Sequence, residues 1–171
     1  ACLKRAFDIL NDSEIESKYL YASRRSTRVP LLKDINNFED IFKIVKMRKI
    51  TDIKSFFINV GLDVANYSEL LHKYNYEEIK PDIIENAKKE EENLLGYLKQ
   101  EDFTGVLAVA DVGWEGTMQN ALSSLSAKFG LNAGITGFYM GQSQAAKKYA
   151  DAGINTKAYL FDYTSDGYDE I

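Results

Sequence analysis

Seven consecutive residues, Asp111-Val112-Gly113-Trp114-Glu115-Gly116-Thr117, gather two acids, two glycines, an aromatic ring and a hydroxyl. They follow a run of small apolar residues, Val106–Ala110, and precede a helical pattern through Met118, Ala121, Leu122 and Leu125. An acid that ends a buried strand is held on rigid backbone. Gly113 and Gly116 let the chain turn tightly and bring amides close to a bound anion. A helix opening at Thr117 favours negative charge at its start, and Trp114 lies within reach of whatever binds there. Asp111 and Glu115 are a reasonable pair of carboxylates for Mg²⁺. The plainer alternative is a strand-to-helix turn in which Asp111 only caps the helix and Trp114 is core. The spacing lacks the Gly-Lys-Ser/Thr ending of a P-loop and is not the dinucleotide fingerprint.

A second cluster, Ser23-Arg24-Arg25-Ser26, follows Lys18–Ala22, whose apolar and aromatic residues read as a strand running into Ser23. Ser23 and Ser26 could hydrogen-bond a phosphate that Arg24 or Arg25 grips bidentately. Alternatively, the arginines pair with acidic residues nearby.

The elements that must position both clusters alternate in kind. Residues 2–11 form a short amphipathic helix on Leu3, Phe7 and Leu10. From about 31 to 102 the periodicity is helical throughout, through Phe38–Val45, Ile53–Val60, Leu70–Tyr74 and a longer helix that Pro81 opens. Gly61 and Asn75 read as helix ends, and Lys88-Lys89-Glu90-Glu91-Glu92 as a solvated face. Past Gly105 the chain alternates: strand Val106–Ala110, a helix to Gly130, strand Ile135–Met140, helix Ala145–Ala152, strand Ala158–Phe161. Short links between such elements mean right-handed crossovers and a parallel sheet, and the continuous run Val106–Ala110 reads as a strand covered on both faces. The expectation is an α/β, Rossmann-like parallel sheet of about four strands, built from 1–30 and 103–171, with residues 31–102 as an all-helical insertion. Ligands of such sheets bind beyond the carboxyl ends of the strands, where both clusters fall.

Other chemistry is restricted by scarcity. His72 is the single histidine, so a two-histidine metal site is excluded and a Ser-His-Asp triad would need His72 itself; a helix surface is the plainer place for it. Cys2 is the single cysteine, which excludes an internal disulfide and fits a reducing, cytoplasmic compartment. A formal net charge of −5 argues against nucleic acid as a partner. No apolar run approaches the roughly 20 residues of a transmembrane helix. Asp162-Tyr163-Thr164-Ser165-Asp166-Gly167 begins like a calcium loop but lacks the twelfth-position Glu, and reads as a polar tail.

Tyr19–Ser26, Ala110–Gln119 and Gly137–Gly141 together resemble the predicted hydrolases of the haloacid dehalogenase superfamily associated with bacterial surface-polysaccharide and glycosyltransferase gene products. The resemblance covers both ends of the chain; the helical middle is generic. It implies a phosphohydrolase or phosphotransferase acting on a phosphorylated sugar or other small molecule through an aspartyl-phosphate, with Mg²⁺ as cofactor. Ser23 takes the place of the family's phosphate-binding Ser/Thr at a strand end. Asp111 takes that of a magnesium-binding acid, with Glu115 as a looser second. Lys99 stands where a Lys or Arg stabilises the charged intermediate. An insertion between the serine and the acid is where one class of cap falls, although that class usually carries a sheet. The nucleophilic Asp-x-Asp motif occurs nowhere in the 171 residues. The opening without Met, directly in a helical pattern, suggests that upstream residues of a longer polypeptide supply it, and that this fragment alone is inactive. Two other expectations compete: a non-catalytic ligand- or partner-binding domain of a larger glycosyltransferase-type protein, and a phosphoribosyltransferase-like sheet, which normally places two adjacent acids where Ala110-Asp111 supplies one.

Overall fold

The computed structural model describes residues 2–45, 52–63 and 75–164, and the backbone of 169–170. In chain order it contains α1 (Cys2–Leu10), α2 (Arg24–Arg28), a 3₁₀ turn (Val29–Asp34), α3 (Phe38–Ile44), α4 (Ile53–Asn59) and α5 (Tyr76–Gln100). There follow β1 (Gly105–Asp111), α6 (Thr117–Phe129), β2 (Ala133–Gln142), a 3₁₀ turn (Gln144–Ala146), α7 (Lys147–Asp151), β3 (Thr156–Asp162) and β4 (Asp169–Glu170). These elements fall into two compact units, Ala1–Ala22 with Lys99–Ile171, and Ser23–Leu98.

The first unit holds a sheet of order β1-β2-β3-β4. The first three strands are parallel and the two-residue β4 runs antiparallel to β3. This is an α/β fold, with three parallel strands where about four were expected. Short αL glycines end the helices: Gly130, at φ +64°, closes α6 and turns the chain into β2.

One sheet face is covered and the other is not. On β2, Gly137, Tyr139 and Gly141 are buried while Phe138 and Met140 between them are exposed. Leu122 and Leu125 of α6, both 0% exposed, pack the helical layer. Strand order without reversal, joined by crossovers of one hand, places the linking helices on a single face. The opposite face presents Val106, 96% exposed, with Phe138 and Tyr159. The expectation that Val106–Ala110 is covered on both faces is therefore corrected: β1 pairs only with β2 among the described residues, and its outer edge has no ladder partner there.

The strand expected at Lys18–Ser23 is also absent. Lys18–Ala22 joins no ladder; the amide of Ala22 donates to the Leu20 carbonyl at 3.0 Å, a turn that ends the extension. Tyr19 and Tyr21 pack edge to face on each other instead, ring centroids 4.9 Å apart. An apolar and aromatic run does not by itself make a strand, because β preference depends on the neighbours it packs and pairs with.

The second unit is helical in its described residues. Its core gathers Leu32, Ile41, Phe57, Val60 and Ile83, each at most 1% exposed. Gly61, at φ +87°, turns the chain after α4 in a space where a Cβ would stand 2.7 Å from both Asn86 and Val29. Its carbonyl accepts from Asn86 Nδ2 at 3.0 Å. Asn75, expected to end a helix, instead begins α5: its Oδ1 accepts from the Glu78 amide at 3.0 Å. Pro81 thus lies inside α5 rather than at its first position. The expected Leu70–Tyr74 helix, with His72, lies outside the described residues.

Candidate functional site

Asp111 ends β1 and folds back on its own loop, Oδ1 accepting from the Gly113 amide at 2.9 Å. This Asx turn explains Gly113: a Cβ there would stand 3.0 Å from Asp111 Oδ2. The carbonyl of Trp114 accepts from the amide and hydroxyl of Ser143, at 3.0 and 3.3 Å, so the loop is fastened to the end of β2. Glu115 is half-buried in the same loop. Gly116 is the N-cap of α6 in the left-handed region, φ +66° and ψ 7°, and no side chain caps the helix. Its carbonyl takes the first helical bond from Asn120 at 3.0 Å, and Thr117, 7% exposed, opens the first turn. A helix start without a side-chain acceptor directs its free amides and positive end towards the loop.

Beneath the loop lies a polar network that sequence reasoning missed. The hydroxyl of Tyr139 donates to Gln119 Oε1 at 3.0 Å. Gln119 Nε2 in turn donates to the carbonyls of Ile135, at 3.1 Å, and Asn155, at 2.8 Å. Both side chains are buried, at 3% and 1% exposed. One amide thereby ties the first turn of α6 to β2 and to the residue before β3. Burial, with the Asp111 carboxylate second, raises the Tyr139 pKa well above the tyrosine range, so the hydroxyl stays a donor. The available signals were Gly137, which leaves room where a Cβ would stand 2.0 Å from Gln119 Oε1, and a glutamine in line with Leu122 and Ser126 on the buried stripe of α6.

At the end of β3, Asp162 Oδ1 accepts from the amide and hydroxyl of Thr164, at 2.9 and 2.6 Å. Lys147 Nζ donates to the Thr164 carbonyl at 3.2 Å. Trp114 stands edge to face on Phe161, centroids 5.6 Å apart at 85°, and Phe161 overlaps Tyr163 at 5.1 Å and 30°. The residues of the calcium-like pattern from Ser165 to Gly167 lie outside the described residues. Among the described residues no group of three or more His, Cys, Asp or Glu side chains is placed to hold a metal ion.

The remaining expected site residues belong to other elements. Ser23 is the N-cap of α2 rather than a strand end. Its hydroxyl oxygen accepts from the Ser26 amide at 3.1 Å, and Ser26 Oγ accepts from the Ser23 amide at 2.8 Å. Arg24 is exposed, and Arg25 Nη2 donates to the Gly61 carbonyl at 3.4 Å. All four residues belong to the second unit, whereas Asp111–Thr117 belongs to the first. Lys99 is exposed in the last turn of α5, before β1 begins at Gly105, whereas Asp111 ends β1.

No helix among the described residues is long and apolar enough to cross a membrane. Compared with protein-family models, curated proteins and solved structures, the chain matches none.

Proposed function

We propose that the first unit binds a phosphorylated small molecule, a sugar phosphate or related metabolite, beyond the carboxyl ends of β1–β3, as part of a Rossmann-like, haloacid-dehalogenase-like phosphohydrolase or phosphotransferase linked to surface-polysaccharide synthesis. The observation that carries this reading is the uncapped start of α6 beside Asp111. The phosphate lies against the amides at the start of α6, at Gly116 and Thr117, where the helix end supplies donors and partial positive charge.

Asp111 suits Mg²⁺ because its turn engages Oδ1 and leaves Oδ2 for a cation. Mg²⁺ keeps several waters and needs only one or two carboxylates with the ligand's phosphate, so the absence of a three-carboxylate cluster among the described residues is compatible with it. Asp111, with Glu115, would hold the ion; bound there, it would neutralise phosphate charge. Ser23, Arg24, Arg25 and Ser26 keep the phosphate-binding role implied by the resemblance as an expectation, which Ser23→Ala tests, and Lys99 keeps the charge-stabilising role implied for it as an expectation.

The exposed apolar sheet face around Val106 and Phe138 favours a second reading, a non-catalytic ligand- or partner-binding domain of a larger glycosyltransferase-type protein. A panel of phosphomonoesters with and without Mg²⁺, run beside Asp111→Asn, separates the two. Mg²⁺-dependent turnover or phosphate-ester binding that Asp111→Asn abolishes supports the first. Full activity or binding in Asp111→Asn sinks this placement of the site, and absence of any phosphate or Mg²⁺ binding favours the second.

A further inference from the structure

At the carboxyl edge of the sheet, three aromatic rings form a corner that phosphate binding does not use. Trp114 is 56% exposed and Tyr163 36% exposed, with Phe161 between them. Three local features build this corner. The register between β2 and β3 shifts between Tyr139 and Gly141, and past that shift Gly141 pairs with Phe161. Gly141 gives that ring its seat, since a Cβ there would stand 2.3 Å from it. The two Ser143 hydrogen bonds to the Trp114 carbonyl fix the backbone that carries the indole. A tryptophan ring held at fixed backbone yet more than half exposed is available surface for a ligand with an apolar face.

We infer that Trp114, Phe161 and Tyr163 seat the sugar ring of a phosphorylated ligand whose phosphate lies at the start of α6; the inference rests on the phosphate reading above. Trp114 and Phe161 meet at 85°, so they offer two faces of a corner and no parallel slot for a flat base. A pyranose has C–H groups on more than one side and fits a corner. Its hydroxyls also need acceptors, and Asp162, at the end of β3, uses Oδ1 in its own turn and keeps a second carboxylate oxygen for them.

Trp114 is the single tryptophan of the chain, so its fluorescence reports on this corner alone. The test titrates the protein with glucose 1-phosphate, glycerol phosphate, methyl glucoside and adenosine monophosphate, following fluorescence and reading affinities by calorimetry. Expected is a change in Trp114 emission with glucose 1-phosphate and binding about tenfold tighter than glycerol phosphate. Trp114→Ala and Tyr163→Ala each remove most of that preference while leaving glycerol phosphate affinity unchanged, and Trp114→Phe retains part of it. Equal affinity for the two esters overturns the sugar seat and leaves the phosphate reading standing. Methyl glucoside changing the emission while no phosphate ester binds retains the seat and sinks the phosphate reading. Tighter binding of adenosine monophosphate than of glucose 1-phosphate, or no response to any probe, overturns the seat. Circular dichroism of each variant separates lost binding from lost folding.

Discussion

At the start of α2, Ser23 and Ser26 exchange hydrogen bonds, side chain to amide in both directions, and the helix end closes on itself. At the start of α6, Gly116 brings no side chain at all, and the first-turn amides are left without a side-chain cap. Both sequences looked alike as anion cradles: small or hydroxyl residues at the entry to a helix. The difference lies in which groups are already used. A capping box satisfies donors locally and stabilises a short helix by about 1 kcal/mol, whereas an uncapped start in a well-packed helix keeps its donors for a ligand.

The contrast holds only if α6 is secured from below rather than at its end. Leu122→Ala tests this first: it empties a fully buried position and should cost about 3 kcal/mol in urea unfolding. A cost no greater than that of losing a cap would mean that packing does not hold α6. Tyr139→Phe comes next, because it leaves Gln119 Oε1 buried without its donor, a loss of about 1–2 kcal/mol at neutral pH. Its pH dependence has a definite sign. The folded Tyr139 pKa is raised, so its contribution is complete below the unfolded tyrosine value of 10.0 and is lost as pH rises beyond it. Denaturation followed from pH 8 to 11 should therefore show a smaller alkaline loss in Tyr139→Phe than in the parent. Equal slopes would remove Tyr139 from the network's energetics. Smallest is Ser23→Ala, about 1 kcal/mol of stability and less than about a twofold change in phosphate affinity on the scale where 1.4 kcal/mol is tenfold. A larger affinity loss would restore to Ser23 the phosphate contact that the resemblance implies.

Much of the first unit was legible because parallel strands linked by helices announce themselves: β1, β2 and β3 fall at the expected runs, and Gly130 ends α6 as expected. Two of the failures share one physical cause. Lys18–Ala22 and Val106–Ala110 were assigned from their own composition, yet strand pairing and coverage depend on neighbours that no local pattern contains. Asn75 and Pro81 erred more locally, since an asparagine serves either end of a helix and α5 begins five residues before its proline, at the cost of one backbone hydrogen bond. At the site, the loop's glycines and acid were readable as types. That Gln119 and Tyr139 would meet beneath it was not, because the two lie 20 residues apart and join only across the α6–β2 packing.

The central claim is that the open start of α6 binds phosphate, and Gly116→Asp tests it most directly. Aspartate tolerates the left-handed backbone of Gly116 better than most residues, and the nearest atoms to a Cβ there stand at 3.7 Å or more, so the fold should persist. It places a carboxylate where the phosphate is expected. Calorimetric titration with phosphate should show binding in the parent chain and at least about a tenfold loss in Gly116→Asp at unchanged circular dichroism. Equal phosphate affinity in the two folded proteins would contradict the account.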